Sequence, residues 1–425
     1  MTFGSAHQPP PDAPVTAPAT ATRPTSDIDL FTEEALLNPY PLYAALREGG
    51  PAVWLTTYDM WAIPRYEEMR AVLADWGTYS SAQGIAIDPG FSAVLKGAFV
   101  ACDPPEHRPQ RQVLAERLTA PALRSLKNQI ETWAEDHVEK CLQDLTFDAV
   151  TSLARPYPMH VIASLIGFPH VPDRLADWAS AGFQSLGPAN ERALSVIQRL
   201  GELETFLTTE AGPGCLPPGS FGADIHDAAE RGTITAEQAG SMLRAYATAG
   251  IDTTVNALSS AIWLLARHPD QWQALRGEPN RITPAFEEVL RLESPVQTFA
   301  RTATRHHDLG GVSIAAGDRI MLLYGSANRD PGHWTEPDRF DITRSARGHL
   351  AFGYGIHVCP GANLARLEAV AVLTSLARRV ERFELAGAPA RQITTPFAVS
   401  PSYRSPHAWP PVSQVPCKQR AICDL

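Results

Sequence analysis

Apolar residues recur at intervals of three and four along most of this chain, which is the pattern of amphipathic helices. The longest such pattern runs from Ala236 to Arg267, and others cover residues 122–210 and 362–380. Short strand-like runs, AVWL and MWAIP, are joined by the turn residues TTYD, and strand and turn signals alternate again over residues 299–323. The pattern therefore predicts a mainly α fold with small β-sheets.

The two ends of the chain differ from the rest. Residues 1–27 consist of Pro, Ala, Thr and Ser with almost no large apolar side chains, so we expect this tail to be disordered, since it cannot bury enough surface to offset its ordering entropy. Residues 28–412 show no internal boundary and are predicted to form a single domain. Residues 413–425 have no assignable pattern. The long connection 76–101, which contains Gly84, Pro89 and Gly90, is of the length that usually carries function.

Composition narrows the classes of function. The chain has 425 residues, a formal charge of −10 and a pI near 5.7, and it has no basic run, which argues against binding nucleic acid. The most apolar helical stretch, 245–266, carries Asp252 and several polar residues, which indicates a buried helix and no membrane span. No secretory signal is present, and the six cysteines show no disulfide spacing, so a soluble, cytoplasmic protein is expected.

The stretch FGYGIHVCPG, residues 352–361, carries the most specific chemistry. Glycines at 353, 355 and 361 suit a backbone that turns tightly around Cys359, beside the apolar ring of Phe352. A thiolate enclosed in this way can act as the axial ligand of a haem iron, where it pushes electron density to the metal and favours O–O cleavage. The alternative is a buried structural cysteine in a glycine-rich turn.

The pattern F-G-x-G-x-H-x-C-x-G resembles that of the cytochromes P450, the haem-thiolate monooxygenases, in their soluble bacterial form. The resemblance extends over about residues 35–400, makes the 28–412 domain a catalytic one, and implies haem b as the cofactor with Cys359 as the metal ligand. It further implies haem contacts from Phe352, Gly353, His357 and Gly361.

Three cations are implied to bind the haem propionates. His107 and Arg111 match the H-x-x-x-R of the family and lie four residues apart, hence on one face of a helix. Arg301 matches the propionate-binding arginine of the family. A solvated basic face is the alternative for the first pair.

The middle of the longest helix reads AGIDTT, and an acid and a hydroxyl in the middle of a helix are poor choices for helix stability. The Thr253 hydroxyl can bond the carbonyl of Ala249, and Gly250 leaves room beside it, so that a groove for dioxygen and water can form. Asp252 can then relay protons from solvent, while Thr253 holds reduced dioxygen so that O–O cleavage outruns peroxide release. An ordinary polar helix face is the alternative for this pair.

Three residues are expected to be structural. Glu288 and Arg291 match the E-x-x-R of the family, and Arg339 stands at the spacing where the family completes a buried Glu, Arg, Arg cluster. The cluster would fix the segment that leads to Cys359, and its loss would prevent haem incorporation.

Substrate contacts follow from the resemblance alone. It points to the connection 76–101 and to positions around the longest helix and the start of the small sheet: Gln83, Ile85, Ile87, Phe91, Leu95, Ala245, Val296, Gln297 and Thr298. The chain most resembles bacterial enzymes that oxidise para-substituted benzoates. Those enzymes hold the carboxylate with an arginine and a serine, where this chain has Gln83 and Ala245, so a neutral or larger aromatic substrate is expected.

The chain has no recognisable flavin, NADPH or iron–sulfur motif, so electrons are expected from a separate ferredoxin or flavodoxin-type donor and its reductase. Arg108, Arg111 and the cations of the helix after Cys359 would form the docking face. We expect a monomer with a role in secondary-metabolite biosynthesis. Two readings stay open: oxidative coupling or ring closure without oxygen insertion, and a haem-binding sensor or carrier without turnover.

Overall fold

Helices form most of the protein, as the spacing of its apolar residues predicts. The computed structural model describes residues 23–144 and 146–385 and the backbone of residues 421–424. The α-helices are α1 (Glu33–Leu37), α2 (Tyr40–Gly49), α3 (Tyr66–Ala74), α4 (Pro89–Val94), α5 (His107–Leu118), α6 (Ala120–Cys141), α7 (Pro156–Ile166), α8 (Leu175–Gln184), α9 (Glu191–Leu194), α10 (Ile197–Thr209), α11 (Phe221–Glu230), α12 (Ala236–Arg267), α13 (Pro269–Gly277), α14 (Ile282–Glu293), α15 (Tyr324–Ala327) and α16 (Ala362–Arg379). The strands are β1 (Thr25–Ser26), β2 (Val53–Leu55), β3 (Met60–Ile63), β4 (Tyr79–Ser80), β5 (Thr146–Asp148), β6 (Thr298–Ala303), β7 (His307–Leu309), β8 (Val312–Ile314), β9 (Arg319–Leu323), β10 (Phe383–Leu385) and β11 (Ala421–Asp424).

Helix α12 runs through the middle of the helical core. A capping box starts it, in which Thr235 accepts from the Gln238 backbone and the Gln238 side chain accepts from the Thr235 backbone. It packs against α7, α8, α11, α14 and α16, which is why its apolar residues continue around most of its surface. Among the described residues, we find no helix with the length and apolar character needed to cross a membrane.

A six-stranded sheet of order β1-β2-β3-β9-β6-β4 flanks the helical core. The predicted hairpin is present as β2 and β3, with Val53 opposite Ala62. Strands β6 and β9 pair antiparallel, with Arg301 opposite Ile320, whereas β7 and β8 form a separate hairpin. The strand signals at residues 299–323 therefore predicted strands correctly. They did not indicate that these strands belong to two separate sheets.

Both ends of the chain correct the sequence predictions. Disorder through residue 27 is wrong for Thr25 and Ser26, because β1 pairs with β2, and the Arg23 guanidinium lies 3.2 Å from the Trp54 ring centroid. Residues 1–22 lie outside the described part. At the other end, β11 lies between β10 and β5, so the unassigned C-terminal stretch contributes a strand. Cys417 lies outside the described residues.

The buried ion cluster forms, but with a different second arginine. Glu288 and Arg291 are fully buried, and Arg291 Nε lies 2.7 Å from Glu288 Oε2. The prediction of Arg339 is wrong, because its side chain is more than half exposed and pairs with Glu336 and Asp341. Arg344 approaches Glu288 instead, at 3.1 Å. In this irregular segment, spacing alone cannot decide between two arginines five residues apart.

Candidate functional site

A cavity lies between α12 and the loop that carries Cys359. Its walls bring together the predicted catalytic Thr253 and seven of the residues predicted for the cofactor: Ala249, Arg301, Phe352, Gly353, His357, Cys359 and Gly361. His107 and Arg111 are not among the described lining residues. The predicted residues that line the cavity come from three distant parts of the sequence, so their convergence is a result of the fold. The predictions of haem contacts are consistent with this placement.

The loop before Cys359 turns as its glycines require. Gly353 and Gly355 have φ values of 73° and 72°, which favour glycine, and the Cys359 amide donates to the Phe352 carbonyl at 2.8 Å. A Cβ on Gly355 would stand 2.4 Å from the carbonyl oxygen of Leu73 in α3. Gly355 therefore lets the loop pack closely against α3. The sequence predicted a tight turn at this glycine but did not indicate the contact with α3.

Opposing effects act on the Cys359 sulfur. Burial raises the pKa of the thiol above its ordinary value, and the backbone amides of Gly361 and Ala362 and the charges of Arg111 and Arg366 oppose this rise only in part. The Arg366 guanidinium is fixed by Glu287, with Nε to Oε1 at 2.6 Å. These donors and charges favour the thiolate that a metal ion would bind. Arg366 was missed as an individual residue, although its place on the helix after the cysteine could have indicated it.

Two histidines and an arginine lie near one edge of the cavity. Among the described residues, the Nε2 atoms of His107 and His357 are buried without a hydrogen-bond partner, and the centroids of the two rings lie 4.6 Å apart. Asp103 is the acid near His357, with its Oδ1 3.7 Å from Nε2. Arg301 is buried and donates to the Ala300 carbonyl at 2.7 Å. Buried donors of this kind are rarely left unsatisfied, so the edge fits the carboxylates of a haem.

Arg111 is oriented differently from the other cations. Its Nη1 donates to the Val358 carbonyl at 2.5 Å, beside Cys359, so it ties α5 to the cysteine loop. The predicted contact of Arg111 with a haem propionate stays a prediction. The charge of Arg111 also lowers the pKa of the Cys359 thiol.

Helix α12 presents a hydroxyl to the cavity and hides an acid behind it. The Thr253 hydroxyl donates to the Ala249 carbonyl at 2.7 Å, as predicted. Asp252 does not line the cavity and is buried, where it accepts from Asn256 Nδ2 at 3.2 Å. Burial raises the pKa of Asp252 to about 7, and the charge of Arg155 partly opposes this.

A surface ion pair acts on Asp252 through its charge. Arg155, whose positive charge partly opposes the rise in the pKa of Asp252, pairs with Asp177, and the two side chains are 36% and 46% exposed. A carboxyl with a pKa near neutral can both take up and release a proton at physiological pH. The proton relay through Asp252 stays a prediction.

Gly250 has a role that differs from the predicted one. A Cβ at this position would stand 2.7 Å from Cδ1 of Ile162 in α7. The glycine therefore permits close packing of α7 against α12, besides lining the cavity. Leaving room for dioxygen stays a prediction.

The predicted substrate contacts divide into two groups. Ile85, Ala245 and Val296 line the cavity. Gln83, Ile87, Phe91, Thr298, Leu95 and Gln297 are not among the described residues that line this cavity, so their contact with substrate stays a prediction.

The surroundings of four of these residues explain why they do not line the cavity. Gln83 is exposed to solvent, and Ile87 packs into the cluster beneath the sheet. Phe91 packs on the outer side of the small cluster that contains Ile85. Thr298 precedes Phe299 on β6, and because successive strand residues face opposite sides, Phe299 and Arg301 face the cavity and Thr298 does not.

Sequence reasoning missed several wall residues that lie in ordinary apolar helices and strands. They are Phe99, Phe183, Tyr246, Phe299, Tyr324 and Glu368. Strand alternation from Arg301 could have indicated Phe299. Glu368 is buried, its Oε2 has no hydrogen-bond partner among the described residues, and burial raises the pKa of its carboxyl well above the ordinary value. The sequence signal that could have indicated Glu368 is its position nine residues after Cys359.

Comparisons with known proteins agree with this geometry. The family model for Cytochrome P450 matches residues 227–402. The chain is 38% identical to cytochrome P450 CYP199A2 of Rhodopseudomonas palustris over 385 residues, which cover 88% of this chain and 92% of that protein. It is 33% identical to the cytochrome P450 monooxygenase PikC of Streptomyces venezuelae, over 89% of this chain and 92% of that one.

A solved structure shows the same arrangement of elements. The crystal structure of P450BioI in complex with an acyl carrier protein ligated to hexadec-9Z-enoic acid superposes with a TM-score of 0.76 at 31% identity, covering 87% of this chain and 98% of that one. A second structure, cytochrome P450 CREJ in complex with (4-ethylphenyl) dihydrogen phosphate, gives a TM-score of 0.72 at 30% identity, over 81% and 90% of the two chains. The predicted fold class is confirmed.

Proposed function

The chain belongs to the cytochrome P450 family, and from this premise we propose that it oxidises a neutral, mainly apolar aromatic substrate. The family binds haem b through a cysteine thiolate, and relatives of this chain are monooxygenases and hydroxylases, so we propose Cys359 as the residue that ligates the iron. When bound, the haem supplies the activation of dioxygen for monooxygenation. The identity of the substrate is the part that we propose.

The character of the distal wall supports this substrate class. The rings of Phe99, Phe183 and Phe299 and the side chain of Ile85 line the cavity together with Ala245. Among the described lining residues, Arg301 is the one arginine or lysine, and it lies at the edge where the unpaired histidine nitrogens collect. A substrate carboxylate in the aromatic region would lose its hydration without gaining a counter-ion, a cost of several kcal/mol.

The residues of α12 support turnover in preference to a carrier role. Thr253 lines the cavity, and the pKa of the buried Asp252 beside it is raised to about 7. In the proposed reaction, Asp252 takes protons from the surface and passes them inward. Thr253 donates and accepts hydrogen bonds where dioxygen is reduced. Hydroxylation and O-dealkylation place the same demands on these two residues.

Electron supply is the second part of the proposal. Redox partners serve the family, and we propose a ferredoxin or flavodoxin-type donor with its reductase for this chain. The cysteine loop reaches the surface beside exposed arginines, since the Arg70 guanidinium lies 4.8 Å from the Tyr354 ring centroid and Arg108 is exposed on α5. An acidic donor would complement this face and approach the loop of Cys359.

A matched pair of ligands tests the substrate class. We expect the methyl ester of 4-methoxybenzoate to shift the haem from low to high spin at lower concentration than 4-methoxybenzoate itself, because the ester carries no charge. Measuring both titrations by absorbance at two ionic strengths provides the control for long-range charge effects. Tighter binding of the free carboxylate would refute the neutral-substrate proposal while leaving the family assignment untouched.

A further inference from the structure

An arginine of the six-stranded sheet binds the loop segment 84–88, which contributes Ile85 to the cavity wall. Arg319 lies on β9 and is half-buried. Its Nη1 donates to the Ile87 carbonyl, and its Nη2 donates to the Ala86 carbonyl at 2.6 Å. Among the described residues, these two carbonyls are the hydrogen-bond acceptors of Arg319. The guanidinium therefore serves the backbone of the loop.

Other backbone groups of this segment are bonded to the two elements on either side of it. The Ile85 carbonyl accepts from the Ala300 amide on β6 at 2.7 Å, and the Ile87 amide donates to the Leu186 carbonyl at 2.8 Å. Residues 85–87 are each at most 5% exposed. Because they are buried, a carbonyl that loses its donor does not regain one from bulk water, and this is unfavourable for the folded loop.

The Ile87 carbonyl depends on Arg319 more than the Ala86 carbonyl does. The Ser92 hydroxyl on α4 also donates to the Ala86 carbonyl, at 3.0 Å, whereas among the described residues Arg319 is the donor to the Ile87 carbonyl. A guanidinium presents a planar fork of N–H donors that can bind two adjacent carbonyls together, and a lysine ammonium has no such fork. Loss of the fork should therefore release the segment.

We propose that Arg319 is a positioning residue for substrate selection, which fixes Ile85 in the cavity wall by binding the carbonyls of the two residues that follow it. Arg319 is not among the described residues that line the cavity, so it acts through the loop. The inference rests on the proposed function in that substrate occupies this cavity. It holds for a neutral and for a charged substrate alike.

Hydrogen exchange of the segment tests the positioning directly and needs no substrate. Arg319→Met keeps a long side chain but removes the donors, and we expect the Ile87 amide to exchange roughly tenfold faster, as for the loss of a hydrogen bond to a charged group. Arg319→Lys keeps one donor group and should give a smaller increase, and it serves as the second variant if Arg319→Met does not fold.

Arg65→Met is the matched control. Arg65 is also half-buried and also donates two hydrogen bonds to backbone, both to the Arg47 carbonyl, from Nε at 2.9 Å and from Nη2 at 2.7 Å. It is not among the described residues that line the cavity. Exchange of the Ile87 amide in Arg65→Met should equal that of the parent.

Two ligands of the haem iron test the effect on the cavity wall. Imidazole and 4-phenylimidazole both bind iron through nitrogen, but only the second carries a ring that needs the apolar wall. If the wall keeps its position for about a tenth of the time in Arg319→Met, the Kd of 4-phenylimidazole rises about tenfold, while that of imidazole is unchanged. In an Ile85→Ala background the same substitution should change the Kd of 4-phenylimidazole by less than about twofold, because the side chain through which Arg319 acts is absent.

Unchanged exchange of the Ile87 amide in both Arg319 variants would overturn the proposal. So would equal weakening of the two ligands, or a full effect of Arg319→Met in the Ile85→Ala background, since Arg319 would then act on the whole fold and not through Ile85. Faster exchange with a selective loss of 4-phenylimidazole would support the role of Arg319 even if free 4-methoxybenzoate binds more tightly than its ester, a result that rejects the neutral-substrate proposal alone.

Discussion

Arg344 and Glu288 form the ion pair that closes the buried cluster beside the cysteine loop, with Nε 3.1 Å from Oε1. The same Glu288 oxygen accepts from Arg291 Nη2 at 2.9 Å and from the Asp341 amide at 3.2 Å. Arg344 also donates to the Thr335 carbonyl at 2.6 Å. One carboxylate thus holds the irregular segment 335–344 against α14, and this segment precedes the loop of Cys359.

Replacing Arg344 with Gln should reduce haem incorporation. The change leaves Glu288 buried with part of its charge unpaired, at a cost of about 3 kcal/mol in the free energy of unfolding. Arg339→Gln is the control, and since that side chain is more than half exposed, it should change stability by less than about 0.5 kcal/mol. The ratio of haem to protein after purification, with denaturant unfolding, measures both. Equal losses in the two variants would contradict the placement of Arg344.

Thr253→Ala should uncouple electron consumption from product formation. The variant keeps the cavity shape, so haem and substrate binding should be unchanged, but the hydroxyl that assists proton delivery is lost, and hydrogen peroxide should increase several-fold. Thr248→Ala is the control, because Thr248 makes the same type of bond, to the Arg244 carbonyl at 2.9 Å, without lining the cavity. Peroxide and product are measured per NADH consumed. Unchanged coupling in Thr253→Ala would exclude its role.

Asp252 should make stability decrease as pH rises. Burial raises the pKa of this carboxyl to about 7, so between about pH 4 and 7 the folded chain keeps a proton that the unfolded chain releases. The folded state is therefore penalised progressively through this window, by up to about 4 kcal/mol at pH 8. Asp252→Asn should be more stable than the parent at pH 8, with a smaller difference at pH 5.

Guanidinium unfolding at the two pH values measures this effect. Asp227→Asn, at an exposed carboxylate, should follow the parent at both. A constant difference between Asp252→Asn and the parent would show that Asp252 titrates in the folded state as it does in the unfolded chain.

Two glycines of α12 give a matched test of helix packing. Gly250→Ala places a methyl group against Ile162, whereas Gly240→Ala meets no atom within 4 Å. We expect Gly240→Ala to stabilise the protein by about 0.5–1 kcal/mol and Gly250→Ala to destabilise it by about 1–3 kcal/mol. Adding Ile162→Val to Gly250→Ala should recover part of the loss. If both alanines stabilise equally, α7 does not pack as closely as the structure shows.

A structural feature could be predicted from the sequence where all the residues that form it lie within one short segment. The cysteine loop and the Thr253 bond to Ala249 each lie within one short segment, so residue type and spacing specify them. Arg344 and Gln83 depend on how irregular segments fold back onto distant elements, which leaves no period in the sequence. The same holds for β11, which pairs with strands far from it in the chain.

The central claim is that Cys359 ligates a haem iron as a thiolate, and the reduced carbon monoxide difference spectrum tests it most directly. We predict a Soret band at the thiolate position in the parent and in the control Cys215→Ser, whose cysteine is exposed. Cys359→Ser should lose that band. A parent band at the imidazole-type position, or a thiolate band that persists in Cys359→Ser, would contradict the account.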